Sequence, residues 1–355
     1  MGLRFVKYGS VYFSIAIIVT SLILGGKWVF VAPLYVFAFI PLMELILPYS
    51  EVNFEKAEEE VAKKDIKYDL MVWSVVPLQY VLLFFFLNRI NDGSLTWWEI
   101  TGMIFSFGIA CGVLGINAAH ELGHRSTWYE QTMSKMLLLT SLYTHFFIEH
   151  NRGHHKNVST DEDPASSRRG ETIYAFFLRS VRDGWLSAWE IESDRLKKTN
   201  TSFWSLQNEM LVLQLIQVLF VAVIAIIWGW KATLFFIAAA IIGFLLLETV
   251  NYIEHYGLRR KMIDGAYYEK VLPIHSWNSN HPIGRIMLFE LTRHSDHHYM
   301  ASRKYQVLRH FDNSPQMPTG YPGMMVLAFF PFAFFKVMHK QIRKYKEAVG
   351  GEALA

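Results

Sequence analysis

Only one cysteine, Cys111, occurs in the 355 residues, and it lies inside an apolar run. One thiol excludes a disulfide framework, an iron–sulfur cluster and a four-cysteine iron site. Charge is scarce as well: 18% of residues are Asp, Glu, Lys or Arg, below the usual quarter. The net charge of +3 gives no general affinity for nucleic acid. No glycine-rich dinucleotide fingerprint is visible, which excludes a nucleotide carried by this chain on that pattern. Apolar residues, by contrast, make up 52%, and the mean hydropathy is +0.20. Length alone would suggest two soluble domains, but this composition is that of a membrane protein. Fourteen histidines against one cysteine is the imbalance to explain.

A bilayer core needs about 20 apolar residues per helix. Six runs qualify, at residues 8–26, 28–47, 70–87, 97–119, 210–228 and 232–252, the last two separated by WGWK. The charged stretch 49–67 reads as a loop with a short amphipathic helix, and about 150–208 as a long polar region. Runs 136–148 and 324–335 are short for crossings and suit buried or interfacial helices. The first run has no small-residue cleavage site, so it is expected to be a retained helix. The GGEALA tail carries no signal. The fold expected is an all-α integral membrane protein, a single membrane domain over 1–355 with six transmembrane helices. Its histidine-bearing regions, about 120–208 and 253–355, form a cap on one side. The three short turns hold only Lys27, Arg89 and Lys231 among 34 basic residues, so the positive-inside rule puts both termini and the large loops in the cytoplasm. Trp28, Trp97, Trp98, Trp228 and Trp230 cluster at the opposite face like an aromatic belt.

Nine histidines fall in four boxes: HELGH (His120, His124), EHNRGHH (His150, His154, His155), NYIEHYG (His255) and LTRHSDHH (His294, His297, His298). On the six-span layout all lie on the cytoplasmic side, although only lysine and arginine fixed that layout. Residues at i and i+4 share a helix face, so His120/His124, His150/His154 and His294/His298 can each aim two imidazoles at one place. The adjacent pairs His154–His155 and His297–His298 diverge by about 100° on a helix, which lets one member serve a second ion. Nine nitrogens are too many for one ion and about right for two. The other five, His145, His275, His281, His310 and His339, lack such spacing and read as structural.

Metal-bound imidazoles usually donate the second ring N–H to a carboxylate or amide. Asn117, Glu121, Glu149, Glu248, Asn251, Glu254 and Asp296 are the candidates for that role. The tract STDEDPASS at 159–167 reads as a solvated turn. Arg125, Arg152, Arg293 and Arg303 read as anchors at headgroup level or as a docking surface. Gly108, Gly112 and Gly115 recur at helical spacing, which suits close helix packing and also a narrow groove for a linear hydrocarbon.

The segments HELGHR, EHNRGHHKNVSTDEDPASS, NYIEHYGL and LTRHSDHHYMASRKYQVL together resemble the bacterial alkane 1-monooxygenase family. The HxxxH and HxxHH boxes alone specify only the wider superfamily of membrane desaturases and hydroxylases. Thr292 and Tyr299 replace a Gln and an Ala more usual in that family, which bears on substrate range and leaves the ligands intact. The resemblance implies that the nine histidines hold two iron ions, with no haem, flavin or nucleotide. It implies terminal hydroxylation of n-alkanes to 1-alkanols with O2, in the bacterial inner membrane. It also implies electrons from rubredoxin and its reductase, and basic cytoplasmic loops suit a small acidic donor. The runner-up is a lipid desaturase or xylene-type hydroxylase of the same superfamily. An intramembrane zinc protease would use HELGH with Glu121 as base, and a metal transporter would place ligands near the membrane midplane. Both leave the HxxHH boxes at helix ends unexplained.

Overall fold

The computed structural model describes residues 4–348, so the GGEALA tail lies outside them. Apolar runs of bilayer length fold into helices α1 (Phe5–Leu24) and α2 (Gly26–Ile46). The charged stretch that follows forms the short helix α3 (Lys56–Lys64). Two more long apolar helices come next, α4 (Ile66–Ile90) and α5 (Trp97–Gly123). Then come α6 (Trp128–Leu139), a helical segment over 146–157 that we call α7, and α8 (Ile173–Lys198). The fifth long apolar helix is α9 (Glu209–His255). A hairpin of β1 (Met262–Ile263) and β2 (Tyr267–Tyr268) follows. The chain closes with α10 (Pro282–Met287), α11 (His294–Tyr299), α12 (Tyr321–Ala328) and α13 (Pro331–Ala348). Among the described residues five helices are thus long and apolar enough to cross a membrane, and the protein is a multi-pass helical membrane protein.

Helix α9 has 47 residues. Straight, it would run about 70 Å, more than twice a bilayer core of about 30 Å. It is broken at Gly229, whose φ of 82° is open to glycine at little cost, within the WGWK motif. Helix α8 is the element that the polar reading of 150–208 left without structure: its many charges hide an amphipathic helix from a search for apolar runs. The run 324–335 is divided between α12 and α13, because a helix rarely continues into the residue before a proline, here Pro331.

Contacts divide the chain into two units. The first comprises residues up to Ala38, Asp65–Asn151 and Trp185–Leu247. In it α5 lies directly on the second arm of α9. A Cβ on Gly108 would stand 2.6 Å from Ile242 Cγ2 and 3.0 Å from the Ala239 oxygen, and one on Gly112 would stand 2.8 Å from the Gly243 oxygen. Beside Gly115 stands the Gln79 side chain, 3.4 Å from such a Cβ. At Gly108 and Gly112 neighbouring atoms fill the space and the glycines serve packing, whereas the atoms beside Gly115 stand at ordinary contact distance. The short turns of this unit are tied together. Gly26 donates its N–H to Glu99 Oε1 (2.8 Å), and Asn91 Nδ2 donates to the Trp228 carbonyl (3.0 Å).

The second unit comprises Phe39–Lys64, Arg152–Gly184 and the chain from Glu248. Arg293 and Arg303 correct the headgroup reading. Arg293 is buried and donates to the carbonyls of Leu308 (2.7 Å) and Val52 (2.9 Å), and Arg303 pairs with Asp296. In the first unit Arg125 is likewise buried between Glu121 (2.6 Å) and Asp69 (3.3 Å). A guanidinium has five donors, which suits it to clamping loops from within.

Candidate metal centre

In the first unit the last turn of α5 presents His120, and His124 caps that helix one turn on, their ring centroids 5.0 Å from each other. His150 comes to both, at 4.5 Å from His120 and 5.1 Å from His124. Its Nε2 lies 3.1 Å from that of His124. Phe146 stacks on the His150 ring at 4.6 Å and so limits its swing.

In the second unit His154, His255, His294 and His298 converge, all four buried, with one ligand atom of each within 4.8 Å of the others. The Nε2 atoms of His298 and His294 are 2.9 Å apart, those of His154 and His298 3.2 Å, and those of His294 and His255 3.2 Å. Beside them the Nε2 atoms of His155 and His297 lie 3.0 Å apart. The i,i+4 pair of the second box therefore does not aim at one place: His150 turns to His124, and His154 turns to His298. Helical spacing sets where Cβ atoms stand, while the side-chain torsions set where the ring nitrogens go.

These nitrogens fit a metal better than they fit one another. Facing pairs of neutral imidazoles share at most one proton, and His154 already has Asp163 Oδ2 2.9 Å from its Nδ1. With that ring's proton on Nδ1, a lone pair points at His298. Burial first, then the neighbouring His294, His155, His154 and His255, hold the His298 imidazole well below its usual pKa. It is neutral, the form that binds metals. Two nitrogens about 2.1 Å from one ion at right angles stand about 3.0 Å apart, which matches the spacings found. The donor set is therefore that of a divalent transition metal.

The acidic and amide candidates sort differently. Glu254 Oε2 is 3.1 Å from His294 Nε2, and its carboxyl stands beside the Tyr321 hydroxyl, deep in the protein. Asp296 is bound by Arg303 Nη1 (2.7 and 2.6 Å) and by the Arg309 N–H (2.7 Å), not by an imidazole. Glu121 is bound by Arg125. Asn117, buried one turn before His120, has no hydrogen-bond partner for Nδ2 among the described residues. Glu149, Glu248 and Asn251 are buried as well. Of the five histidines outside the boxes, four bond within the protein: His275 to Glu269, His281 to Ser279, His310 to Asn280 and His339 to Tyr256. The fifth, His145, packs on Tyr143 at 4.3 Å, and burial lowers its pKa to about 3.

Residues 94–342 match the fatty acid desaturase family. An alkane 1-monooxygenase 2 of Pseudomonas aeruginosa is 38% identical over 97% of this chain and 94% of its own length. An alkane 1-monooxygenase of Pseudomonas putida is 41% identical over 82% of this chain and 73% of its own. The chain belongs to the alkane 1-monooxygenase family. The hydroxylase component of a xylene/toluene monooxygenase of Pseudomonas putida is more distant, 26% identical over 91% of this chain and 85% of its own.

For this alkane 1-monooxygenase family member, the residue that sequence reasoning passed over is Asp163. STDEDPASS looks like a solvated turn, yet Asp163 is 2% exposed. Burial alone would raise its carboxyl; His154 and the Ser166 hydroxyl outweigh that and hold it below its usual range. The tract is built inward throughout: Ser159 Oγ donates to the His275 carbonyl, and Ser167 Oγ to that of Tyr252. The one available signal is its position, a carboxylate nine residues beyond a box histidine, and composition masks it.

Proposed function

We propose that this protein hydroxylates the terminal methyl of medium-to-long-chain n-alkanes to 1-alkanols through a histidine-ligated di-iron centre. One O2, two electrons and two protons convert R–CH3 to R–CH2OH and one water. His154, His255, His294 and His298 hold one ion, and the remaining box histidines are left for the other. Iron, when bound, supplies the O2 chemistry that no side chain of this sequence offers. The chain's own part is to orient the imidazoles: Asp163 holds His154 from its Nδ1, and Glu254 Oε2 stands on the metal-facing side of His294, 3.1 Å from its Nε2. The observation that carries the reading is the His154–His255–His294–His298 convergence at metal-ligand spacing in a chain of this family. The lone buried Cys111 cannot carry the electrons, so the donor is external, and the family resemblance implies rubredoxin with its reductase.

Six crossings, with the two arms of α9 counted separately, would leave the histidines and both termini in the cytoplasm of a bacterial inner membrane. An alkane has no polar handle, so recognition rests on apolar shape, at about 1–3 kcal/mol per methylene. The desaturase and xylene-hydroxylase readings share this site, but the xylene relative is the more distant one. The protease reading is weakened by Glu121, which is ion-paired with Arg125 and not free to act as a base. The test is metal analysis of the detergent-purified protein, then octane or dodecane oxidation with rubredoxin, reductase and NADH. Two irons per chain and a 1-alkanol support the reading. One zinc and no oxygen consumption overturn it, and an alkene product moves the function to desaturation.

A further inference from the structure

The hairpin of β1 and β2 follows His255 closely and lies outside every long apolar helix. Its Asp264–Gly265 turn has both φ angles positive, at 51° and 65°, as tight hairpin turns require. A lone two-stranded hairpin is marginal in water, and this one is held at its base. Arg260 Nε donates to the Glu269 carbonyl (2.7 Å), and the Lys261 N–H donates to Glu269 Oε1 (2.8 Å). Beyond the base it exposes Met262 (53%), Ile263 (38%) and Tyr267 (60%). Lys261 and Lys270, both exposed, flank this apolar centre in the chain, and the exposed Lys156 is joined to Arg260 through its carbonyl; Arg259 is paired with Asp161 (3.5 Å), and the exposed Asp264 stands in the turn.

The base of the hairpin leads to a box histidine without a gap. The Arg260 N–H donates to the Ser159 carbonyl (2.8 Å), and the Ser159 N–H to Ser166 Oγ (2.8 Å). Ser166 Oγ donates to Asp163 Oδ2 (2.5 Å), which lies 2.9 Å from His154 Nδ1. A second bond, from Arg260 Nη1 to the Lys156 carbonyl (2.8 Å), ties the same arginine beside His155.

We propose that this hairpin, with its basic flank, is where an acidic electron-transfer protein docks to deliver electrons to the histidine site. The proposal rests on the reading that electrons come from an external protein. An apolar centre with a charged rim is the usual anatomy of a protein interface, and opposite charge steers the encounter. Lipid is the poorer occupant, because a two-stranded hairpin leaves unpaired backbone groups at its edges that hydrocarbon cannot satisfy. The donor is oxidised by one electron at each of two visits, and both electrons go to one O2, which with two protons and the alkane R–CH3 yields R–CH2OH and one water. The hydrogen-bonded run from Arg260 to His154 is the bonded route between surface and site.

The test uses the full chain in phosphatidylglycerol-containing nanodiscs, with reduced rubredoxin as the probe. Lys261→Glu combined with Tyr267→Ala should raise the apparent KM for rubredoxin about tenfold and weaken its salt dependence, with kcat at saturating donor and metal content unchanged. Lys261→Glu with Lys270→Glu, which alters charge alone, should act in the same direction if the first pair disturbs the hairpin. A KM within about twofold of wild type in both variants overturns the docking surface while wild-type turnover upholds the external donor. Wild type that takes no electrons from rubredoxin overturns that reading and the surface with it. An unchanged KM with activity altered only between vesicles with and without phosphatidylglycerol assigns the basic side chains to lipid and overturns docking.

Discussion

Asp163 Oδ2 lies 2.9 Å from His154 Nδ1, and both side chains are fully shielded from solvent. The carboxylate can only accept there, so Nδ1 carries a proton, and Nε2 is turned to His298 (3.2 Å). Ser166 Oγ on the same oxygen and the Ala165 N–H on the other (3.1 Å) hold the carboxylate in turn.

Asp163→Asn should therefore keep the fold and loosen the ion. An amide can present its nitrogen to the ring and select the wrong tautomer. Loss of such a partner typically costs about 10–100-fold in metal affinity. Competition with a chelator, read as metal retained per chain at constant helical circular dichroism, checks this. Undiminished retention would mean that Asp163 only supports its loop.

His298 touches His294 and His154 through Nε2. His298→Ala should lower bound metal from about two ions per chain to about one and abolish alkane oxidation. His145→Phe, outside the boxes, should leave the metal content unchanged. Elemental analysis of the two variants side by side decides between a built site and a chance gathering of imidazoles.

The box histidines and the apolar runs were legible because both depend on local spacing: about 3.6 residues per turn and a fixed bilayer thickness. What sequence hid depends on contacts between distant segments. Asp296 stands directly before His297 in the chain, yet its oxygens go to Arg303 and Arg309. Arg293 looks like a surface cation in the sequence but binds a carbonyl 241 residues away. His150 and His154 share a helical face and still turn to different partners. No periodicity encodes those choices, since they are made by side-chain torsions and by the segments that come to meet them.

Gly112 and Gly108 distinguish packing from a substrate groove. Gly112→Val would drive a side chain into the Gly243 backbone, which cannot move aside as a flexible side chain would. Overpacking of this kind costs about 1–3 kcal/mol, so the thermal midpoint in detergent should fall, with chain-length preference unchanged in the surviving enzyme. A normal midpoint with a shortened preferred alkane would restore the groove.

Glu171 and Arg179 give a pH-dependent tie outside the membrane helices. Arg179 Nε and Nη2 bond Glu171 (2.7 and 2.8 Å), and the same guanidinium reaches the carbonyls of Pro164 (3.0 Å) and Ser166 (3.1 Å) on either side of Ala165. Burial alone would raise the Glu171 carboxyl; the bonds from Arg179 and the Arg168 N–H outweigh it and hold it below its usual value. A depressed carboxyl stabilises the fold above its unfolded pKa of about 4.3, and that part is lost as pH falls through the lower folded value. Glu171→Gln should thus lower the midpoint at neutral pH, and the gap from wild type should close on acidification. Hydrogen exchange over 159–167 should quicken in the variant at neutral pH, because Arg179 loses the anchor that aims it at Pro164 and Ser166. If exchange there stays slow, the tract that carries Asp163 is held by its serines alone.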